Sequence, residues 1–568
     1  MIRRLHPGLL ALSALPAALL IGCGGGSDSS LPQLSAASAG TLLSCTDLVS
    51  KISFPNTTIT AANAVAAGTL TVAGTPVPAH CQITGSMYPR VSAVDGKSYA
   101  IGFEMRLPNA WNGRFFYQAN GGIDGNVLTA IGNVDGENSG GPTNALNMGF
   151  AVISSDAGHA AALGASFGID PQARLDYGYQ AVAKLTPMAK SAIQTAYGKG
   201  PDRSYFGGCS NGGRHTMVAA ARYADQYDGF LVGNPGFNLP KAAIANIASA
   251  QIYATLASTP GDLSTGFTTA ERTLVSKAVL AKCDALDGST DGLVQDTGAC
   301  QAAFNLDRDV PTCSGTRDGS CLSAAQKTGI AKILSGPTTS SGSKIYASFP
   351  YDAGLAGSGY GFWEFTAPLV LDSGGVGLIW PAPPEDPATF NGPVFALTGN
   401  VDTMLARVNA TTALYTESAM SFMTPPNPSN LSAVKGRGAK MMLYHGTSDP
   451  IFSSDDTTAW YDALRSANGG DASNFARFYR VPGMNHCSGG PATDQFDMLT
   501  PLVNWVEKGQ APDSVTANVR GPGNAVAVNP DVPSSWSPTR SRPLCAYPKV
   551  ARYNGSGDVE SAASFSCK

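Results

Sequence analysis

After residue 98, short apolar runs alternate with turn residues in the first third of the chain. Runs at 99–105, 114–118 and 150–154 have the length and composition of buried strands. They are followed by residues 170–197, in which Leu175, Tyr179, Val182 and Leu185 recur at helical spacing. That spacing predicts a long amphipathic helix.

The same alternation continues on both sides of the middle of the chain. Residues 204–206 form a short apolar run before a glycine-rich turn at 207–213, and residues 217–223 have a helical pattern after it. Further strands are predicted at 440–444 and 475–481, and an amphipathic helix at 500–508. Alternating strands and helices predict a mostly parallel sheet.

Residues 237–436 break this rhythm. The segment contains four cysteines, an acidic turn and proline-rich stretches, without a regular alternation of strands and helices. We interpret it as a lid domain inserted over one edge of the sheet, since long insertions cost little loop entropy and often carry specificity. The sheet domain would then comprise residues 42–236 and 437–568.

Composition limits the classes of protein and partner. The 568 residues are 43% hydrophobic and only 14% charged, which is typical of a globular protein too long for one core. The formal net charge is −4, and no basic run follows the first few residues. Nucleic acid and anionic lipid are therefore not expected as main partners. We expect a monomer that acts on a small molecule.

The N-terminus has the features of an export signal. Arg3 and Arg4 precede an apolar stretch at 9–21, which is too short to span a membrane. Leu20-Ile21-Gly22-Cys23 resembles a bacterial lipobox, which predicts a signal peptide at 1–22, a lipidated Cys23 and a flexible tether at 23–41. The membrane would be contacted only through this lipid anchor. The alternative is an ordinary signal peptide and a periplasmic or secreted protein.

The cysteine count agrees with an oxidising compartment. Setting Cys23 aside leaves ten of the 11 cysteines, an even number, and none forms a C-x-x-C pair. Spacing suggests four local pairs and leaves Cys209 and Cys487 for each other, although connectivity does not follow from sequence alone. The local pairs would be Cys45 with Cys81, Cys283 with Cys300, Cys313 with Cys321, and Cys545 with Cys567.

The glycine-rich turn contains a nucleophile motif. Gly208-Cys209-Ser210-Asn211-Gly212 matches G-x-S-x-G and lies between a predicted strand and a predicted helix. In that context the motif predicts a nucleophile elbow, with Ser210 as nucleophile, and an α/β-hydrolase fold with a large lid domain inserted in the sheet domain. Without the flanking elements the motif would be weak evidence in a chain with 65 glycines.

The base and acid follow from chain order. In this fold the order is serine, then acid, then a histidine near the end, which selects Asp449 and His486. Asp449 would orient the imidazole and stabilise the imidazolium. The other histidines downstream of the signal are interpreted as structural: His80, His159, His215 and His445.

Two further features surround the proposed nucleophile. Cys209 precedes Ser210 and Cys487 follows His486, so a disulfide between them would hold the two loops together. A free or catalytic Cys209 is the alternative. For the oxyanion hole we expect the backbone N–H of Asn211 and one from Gly121 or Gly122, in the loop after the strand at 114–118.

These residues together resemble the tannase and feruloyl esterase family, which includes bacterial mono(2-hydroxyethyl) terephthalate hydrolases. The likeness covers about residues 45–567 and implies that the triad is Ser210, Asp449 and His486, and that Cys209 and Cys487 form the family's disulfide. The segments that carry it are Trp111-Asn112-Gly113-Arg114-Phe115, Gly207-Gly208-Cys209-Ser210-Asn211-Gly212-Gly213-Arg214, Tyr227-Asp228-Gly229 and Gly483-Met484-Asn485-His486-Cys487-Ser488-Gly489-Gly490.

The resemblance also implies a structural calcium ion in the lid. Its ligands would be the carboxylates of Asp284, Asp287 and Asp291 and the backbone carbonyls of Ser289 and Leu293. Three aspartates within eight positions, separated by glycine turns, suit a hard cation that takes oxygen ligands. The spacing is not that of an EF-hand, and the alternative is a solvated acidic turn.

The resemblance implies a serine carboxylic ester hydrolase that cleaves esters of aromatic acids, phenolic or terephthalic, through an acyl-enzyme. Lid aromatics could form the walls of the acyl site or only the core of the lid: Phe362, Trp363, Phe365 and Trp380. Arg407 is a candidate partner for the free carboxylate of a terephthalate monoester. Two other hypotheses are a serine peptidase and a surface binding protein without catalysis.

Overall fold

The structure is a computed structural model that describes residues 31–133 and 144–568. The predicted signal peptide and Cys23 lie outside the described residues. Residues 31–41, predicted as part of a flexible tether, contact the sheet domain instead. Gln33 Nε2 donates to the carbonyl of Val506 at 2.8 Å, and Gly40–Thr41 pair with Ala110–Trp111. The tether prediction is therefore wrong for these residues.

Within those bounds the chain forms eighteen strands. They are β1 (Gly40–Thr41), β2 (Thr57–Val65), β3 (Thr71–Val72), β4 (Thr75–Pro76), β5 (His80–Val91), β6 (Ser98–Pro108), β7 (Ala110–Trp111), β8 (Arg114–Gln118), β9 (Ala151–Ser155), β10 (Arg203–Cys209), β11 (Gly229–Gly233), β12 (Lys440–Gly446), β13 (Ala476–Val481), β14 (Gln495–Phe496), β15 (Ser514–Asn518), β16 (Ser541–Cys545), β17 (Ala551–Tyr553) and β18 (Phe565–Cys567).

The same described residues form fifteen α-helices: α1 (Leu48–Lys51), α2 (Pro171–Leu175), α3 (Ala181–Tyr197), α4 (Asn211–Arg222), α5 (Leu239–Leu256), α6 (Thr269–Cys283), α7 (Thr297–Ala303), α8 (Leu306–Asp309), α9 (Ala324–Leu334), α10 (Gly392–Thr398), α11 (Val401–Val408), α12 (Ala419–Met423), α13 (Ser432–Gly436), α14 (Ser454–Ala467) and α15 (Leu499–Lys508). Short 3₁₀ and π segments lie between them. One π segment, Asp176–Gln180, joins α2 to α3, so the predicted helix at 170–197 is confirmed.

A nine-stranded mixed sheet organises the molecule, in the order β13-β12-β11-β10-β8-β9-β6-β5-β2. The six strands from β13 to β9 pair in parallel, and β6, β5 and β2 extend the sheet by antiparallel pairs. Cys209 lies opposite Gly233, and Gly233 lies opposite Tyr444. The carboxyl ends of β10, β11 and β12 therefore meet at one edge, as the predicted parallel sheet requires.

Both faces of the parallel strands are buried, which explains their continuous apolar runs. Along β12, Met441 and Leu443 pack into one core with Phe206 of β10, while Met442 and Tyr444 pack into another with Leu502 of α15. The antiparallel strands β2 and β5 were not predicted. Thr and Ala dominate β2, whose residues are mostly exposed or half-buried, so the hydrophobic alternation there is weak.

The segment between β11 and β12 is fully described, and helices α5–α13 form it without contributing a strand to the central sheet. It has two apolar clusters of its own, one around Val275 and Ile330 and one that joins Ile379 and Met404 to Tyr177 of the sheet domain. The architecture is the predicted α/β-hydrolase fold with an inserted lid. No helix in the described part of the chain is long and apolar enough to cross a membrane.

Candidate active site

Three side chains from neighbouring strand ends form one hydrogen-bonded chain. Ser210 follows β10, Asp449 follows β12, and His486 follows β13. The Oγ of Ser210 lies 2.8 Å from Nε2 of His486, and Nδ1 of His486 lies 2.7 Å from Oδ2 of Asp449. Parallel pairing places these ends at the same edge of the sheet, so residues far apart in sequence meet here. This is the geometry of a serine hydrolase triad.

The backbone around Ser210 is a tight turn between β10 and α4. Ser210 has φ 67° and ψ −128°, a backbone conformation that residues other than glycine rarely adopt, and α4 begins at the next residue. A Cβ at either Gly208 or Gly212 would lie 2.4 Å from the carbonyl oxygen of Ala119. Glycine is therefore required at both positions of the motif. The strained turn holds the hydroxyl of Ser210 above the sheet edge.

Asp449 is fully buried and every oxygen of its carboxylate has a donor. Oδ1 accepts the backbone N–H groups of Ile451 and Phe452, both at 3.0 Å, and Oδ2 accepts Nδ2 of Asn234 at 2.7 Å besides His486. Burial opposes ionisation, but the neighbouring His486 and His445 outweigh it and lower the pKa of Asp449. The carboxylate is thus stabilised as an anion facing the imidazole.

Three residues that sequence reasoning missed support the acid and the base. Asn234 follows β11, and that position at the carboxyl end of a parallel strand could have drawn attention to it. Asn485 Nδ2 donates to the carbonyls of Ser448 at 2.9 Å and of Gly354 in the lid at 3.1 Å. Asp352, also in the lid, accepts the hydroxyl of Thr447 and, at 3.1 Å, the N–H of Gly483. No local sequence signal marks these last contacts.

The structure contains all five disulfides that the spacing suggests: Cys45–Cys81, Cys209–Cys487, Cys283–Cys300, Cys313–Cys321 and Cys545–Cys567. Cys209 is therefore neither free nor a nucleophile. Its bond to Cys487 joins residues separated by 278 positions and links the nucleophile turn to the histidine loop. The disulfide adds a covalent constraint beside the hydrogen bond between Ser210 and His486.

The loop after β8 approaches the nucleophile as predicted. A Cβ at Gly121 would lie 3.8 Å from Cβ of Ser210, whereas a Cβ at Gly122 would meet nothing within 4 Å. Gly121 is thus the nearer of the two candidate donors to Ser210. Asn120 holds this loop to the sheet because its Nδ2 donates to the carbonyl of Ser155 at 2.8 Å.

A cavity of about 770 Å³ opens beside Ser210, and the loop after β8 forms much of its wall. Within the described residues its lining includes no lysine or arginine. The lid contributes Trp363, whose ring meets the imidazole of His486 edge to face at a centroid distance of 4.8 Å. Phe452 packs against the same imidazole at 5.3 Å. The imidazole of His486 therefore contacts two aromatic rings.

The lid aromatics divide between wall and core. Trp363 lines the cavity, Phe365 and Trp380 are buried within the lid clusters, and Phe362 is 46% exposed. Arg407 is not among the residues lining the cavity. Its guanidinium pairs with the carboxylate of Glu385, so the structure does not bring this candidate to the cavity.

The other four histidines have structural surroundings, as expected. His80 Nδ1 contacts the carbonyl of Pro78, and the two ring nitrogens of His445 contact Thr457 and the carbonyl of Phe452. His159 stacks on Phe167, and His215 contacts Asp124.

The acidic loop of the lid lies between α6 and α7. Asp284 accepts the N–H groups of Asp291 and Gly292, at 3.0 and 2.9 Å, and Asp291 forms a buried ion pair with Arg542 at 2.6 Å. Oδ2 of Asp287 is buried without a hydrogen-bond partner. Among residues 31–133 and 144–568, no group of three or more His, Cys, Asp or Glu side chains is arranged to hold a metal ion.

Known proteins resemble this chain over most of its length. The family model "Tannase and feruloyl esterase" matches residues 81–568. Mono(2-hydroxyethyl) terephthalate hydrolase of Piscinibacter sakaiensis is 38% identical over 535 residues, which cover 88% of this chain and 86% of that protein. An uncharacterized esterase of Xanthomonas campestris pv. campestris is 31% identical over 576 residues, covering 92% and 91%.

A solved structure shares the fold. Feruloyl esterase B from Aspergillus oryzae superposes with a TM-score of 0.73 at 24% identity, covering 92% of this chain and 99% of that one.

Proposed function

Because the chain belongs to the tannase and feruloyl esterase family and is a carboxylic ester hydrolase, we propose that Ser210, His486 and Asp449 are its catalytic triad. The observation that carries this proposal is the unbroken hydrogen-bonded chain from Ser210 Oγ through His486 to Asp449. Nucleophile, base and orienting acid are each within hydrogen-bond distance of the next, which is the requirement for activating a serine.

The geometry supports a two-step reaction through an acyl-enzyme. Nε2 of His486 takes the proton of Ser210 as its Oγ bonds to the ester carbonyl carbon. The resulting oxyanion would accept the N–H groups of Asn211 and Gly121. When the tetrahedral intermediate collapses, the alcohol leaves with the proton from His486. Water, deprotonated by His486, then attacks the acyl carbon. When this second tetrahedral intermediate collapses, the acid leaves and Oγ of Ser210 takes the proton back from His486.

The cavity favours esters whose aromatic acyl group carries no further charge, such as ferulate, caffeate and gallate esters. Its lining offers an aromatic ring, Trp363, and apolar side chains such as those of Ile123 and Leu128. A substrate with a second, ionised carboxyl group would lose hydration there without gaining a cationic partner among the described residues. Arg407, paired with Glu385, does not supply one.

Hydrolysis of mono(2-hydroxyethyl) terephthalate is the second candidate activity, because the hydrolase of that name is 38% identical to this chain. Its substrate carries the ionised carboxyl group for which the cavity lacks a partner. A peptidase or a binding protein without catalysis has no comparable support, since the family relationship points to ester hydrolysis.

The test is a panel of esters given to the purified mature protein and to Ser210→Ala. Methyl ferulate and methyl gallate are compared with mono(2-hydroxyethyl) terephthalate and with dimethyl terephthalate, a neutral diester of the same acid. We expect kcat/KM at least about 10-fold higher for the neutral esters, since an unpaired charge costs more than about 1.4 kcal/mol to desolvate. A preference for the charged monoester would reverse the assignment, and hydrolysis by Ser210→Ala would refute the triad.

We also propose that the acidic lid loop binds one calcium ion through the carboxylates of Asp284, Asp287 and Asp291, with backbone carbonyls from Ser289 and Leu293. Supporting this are three buried aspartates in one loop and the unpartnered Oδ2 of Asp287. Burial, together with the charges of Asp291 and Asp284, raises the pKa of Asp287 to about 7, and the nearby Arg542 pairs with Asp291 rather than with Asp287. The ion would stabilise the lid and takes no part in the reaction.

Export is part of the same proposal. Five disulfides require an oxidising compartment to form and persist. We propose that the signal peptide ends at residue 22 and that Cys23 carries the lipid anchor. Mass spectrometry of the N-terminal peptide tests this directly: a diacylglyceryl group on Cys23 is expected, and an unmodified terminus elsewhere would contradict it.

A further inference from the structure

We propose that Asp124 is a positioning residue that aligns the two backbone donors of the oxyanion hole, an inference that rests on the proposed role of Ser210. Its carboxylate binds the residue after the nucleophile, while its backbone binds the glycine that supplies the other donor. No part of the mechanism above uses Asp124, although it lies at the cavity wall.

The backbone of Asp124 closes the glycine loop. Its N–H donates to the carbonyl of Gly121 at 3.2 Å, and its φ of 57° is a left-handed backbone conformation that residues other than glycine rarely adopt. Such a conformation persists only where surrounding contacts hold it. The turn restrains Gly121 through its carbonyl, and it fixes the peptide plane between Gly121 and Gly122.

The side chain of Asp124 reaches the other half of the oxyanion hole. Oδ2 accepts Nδ2 of Asn211 at 2.9 Å and lies 2.9 Å from Nε2 of His215. The side chain is only 2% exposed. Asn211 is the first residue of α4, and its backbone N–H is the donor expected beside Ser210. One aspartate therefore joins the glycine loop to the helix across the position where the oxyanion forms.

Other contacts hold the same arrangement from the opposite side. Nε of Arg214 donates to Oδ1 of Asn211 at 2.6 Å, so the amide of Asn211 is bound at both ends. The hydroxyl of Tyr177 lies 3.3 Å from the carbonyl of Gly122 and 3.4 Å from Oδ1 of Asn211. Arg214 and Tyr177 brace Asn211, and Asp124 supplies the direct link to the loop.

The surroundings argue for positioning rather than for proton transfer by Asp124. Burial and the charge of Arg214 lower the pKa of His215. Nη2 of Arg214, which can only donate, lies 3.1 Å from Nδ1 of His215, and this leaves the Nε2–H of His215 to donate to Asp124. Both interactions of Oδ2 are thus with groups that do not react. Since oxyanion donors act only when aimed at the charge of the transition state, loosening them lowers kcat more than it changes KM.

Asp124→Ala removes the link, and Asp124→Asn preserves it. An asparagine oxygen in the place of Oδ2 can still accept hydrogen bonds from both Asn211 and His215. We expect kcat for p-nitrophenyl acetate to fall about 30- to 300-fold in Asp124→Ala, with KM within threefold, because one lost oxyanion donor costs about 10²- to 10³-fold. Asp124→Asn should remain within about fivefold of wild type.

A matched control is Asp228→Ala, which removes another buried carboxylate of the sheet domain, one that accepts the N–H of Ser204 at 2.8 Å at the far end of the sheet. It should lower the melting temperature without changing kcat.

The second readout is phenylboronic acid, which forms an anionic tetrahedral adduct with the serine hydroxyl. Its affinity should fall in parallel with kcat in Asp124→Ala, whereas a purely structural role would leave it unchanged in the folded fraction.

A double-mutant cycle tests whether Asp124 acts through Asn211. Asn211→Ala keeps the backbone donor but removes the amide that Asp124 holds, so it should reproduce the loss of kcat even if Asp124→Ala fails to fold. The double variant should be no slower than the slower single variant, since each substitution removes the same interaction between Asp124 and Asn211.

Unchanged kcat in Asp124→Ala or in Asn211→Ala, or fully multiplicative losses in the double variant, would overturn the inference. Wild type that is inactive, or Ser210→Ala that is active, would instead refute the proposed triad.

Discussion

Two loop regions of this molecule combine buried aspartates with a disulfide, and they differ in how completely the protein satisfies them. At the sheet edge, both oxygens of Asp449 accept hydrogen bonds from protein groups, and Cys209–Cys487 ties the neighbouring loops together. In the lid, Asp287 is equally buried, yet its Oδ2 has no partner, and Cys283–Cys300 closes a loop of only 17 positions.

The difference separates a site that protein groups complete from one in which we propose that an ion completes the contacts. A buried polar atom without a partner costs about 1–3 kcal/mol, and more when charged. Asp449 avoids this cost with four donors and can therefore serve as a fixed anion for His486. Asp287 does not avoid it, which is understandable if a cation completes the loop. Buried aspartates thus mark chemistry in one region and a proposed structural site in the other.

The largest expected effect on kcat is at the sheet edge, where Asp449 binds His486. Asp449→Asn should lower kcat about 10³- to 10⁴-fold with little change in KM, because an amide donates where His486 needs an acceptor and favours the wrong imidazole tautomer. Steady-state kinetics on the best ester of the panel measures this. Asp228→Asn is the control for loss of a buried charge and should keep kcat within twofold. A loss below 10-fold in Asp449→Asn would show that Asp449 does not orient the base.

A smaller effect is expected from removing the disulfide beside the triad. Cys209→Ala/Cys487→Ala should reduce kcat roughly 10- to 100-fold, since a displacement of about 1 Å between nucleophile and base can cost that much. The control pair is Cys313→Ala/Cys321→Ala, which opens a lid loop spanning eight positions and should leave kcat within twofold. Equal activity in both variants at a temperature where both are folded would remove the positioning role of Cys209–Cys487.

The smallest effect on turnover is expected at the lid loop. Chelation of calcium should lower the melting temperature by several degrees while kcat stays within about threefold, because a ligand that binds only the folded state stabilises it by mass action. Differential scanning calorimetry with added Ca²⁺, and with Mg²⁺ as the control, measures the shift; Mg²⁺ fits irregular oxygen sites poorly. Asp287→Ala should abolish the calcium-dependent gain, and an unaltered melting temperature in wild type would contradict the calcium proposal.

Local patterns predicted the elements that position the site. The strand at 114–118 is β8, the helix at 170–197 is α2 through α3, and the strand–turn–helix at 204–223 is β10 and α4. These segments are continuous apolar runs or clear helical repeats, because buried parallel strands and packed helices impose such patterns. The strands β2 and β5 escaped prediction since the outer part of the sheet is only partly buried and its sequence alternates weakly.

Other features could not be inferred from any local pattern. The contacts of Asn234 with Asp449, and of Asp352 with the loops around Thr447 and Gly483, depend on where three distant segments meet. Residues 31–41 have the composition of a linker, yet they pack on the sheet domain through groups contributed by α15. Arg407 had the charge expected of a carboxylate ligand, but folding pairs it with Glu385.

The sequence by itself determined the parts whose chemistry is tied to residue type. Glycines flank Ser210 because no side chain fits that turn, and the cysteines next to Ser210 and His486 predict their own bond. Only the tertiary structure decided which groups surround that pair: a cavity lining without lysine or arginine among the described residues, the ring of Trp363 against His486, and the link from Asp124 to Asn211. Those neighbours come from separate strands and from the lid, and long-range packing, unlike a turn, leaves no local pattern in the chain.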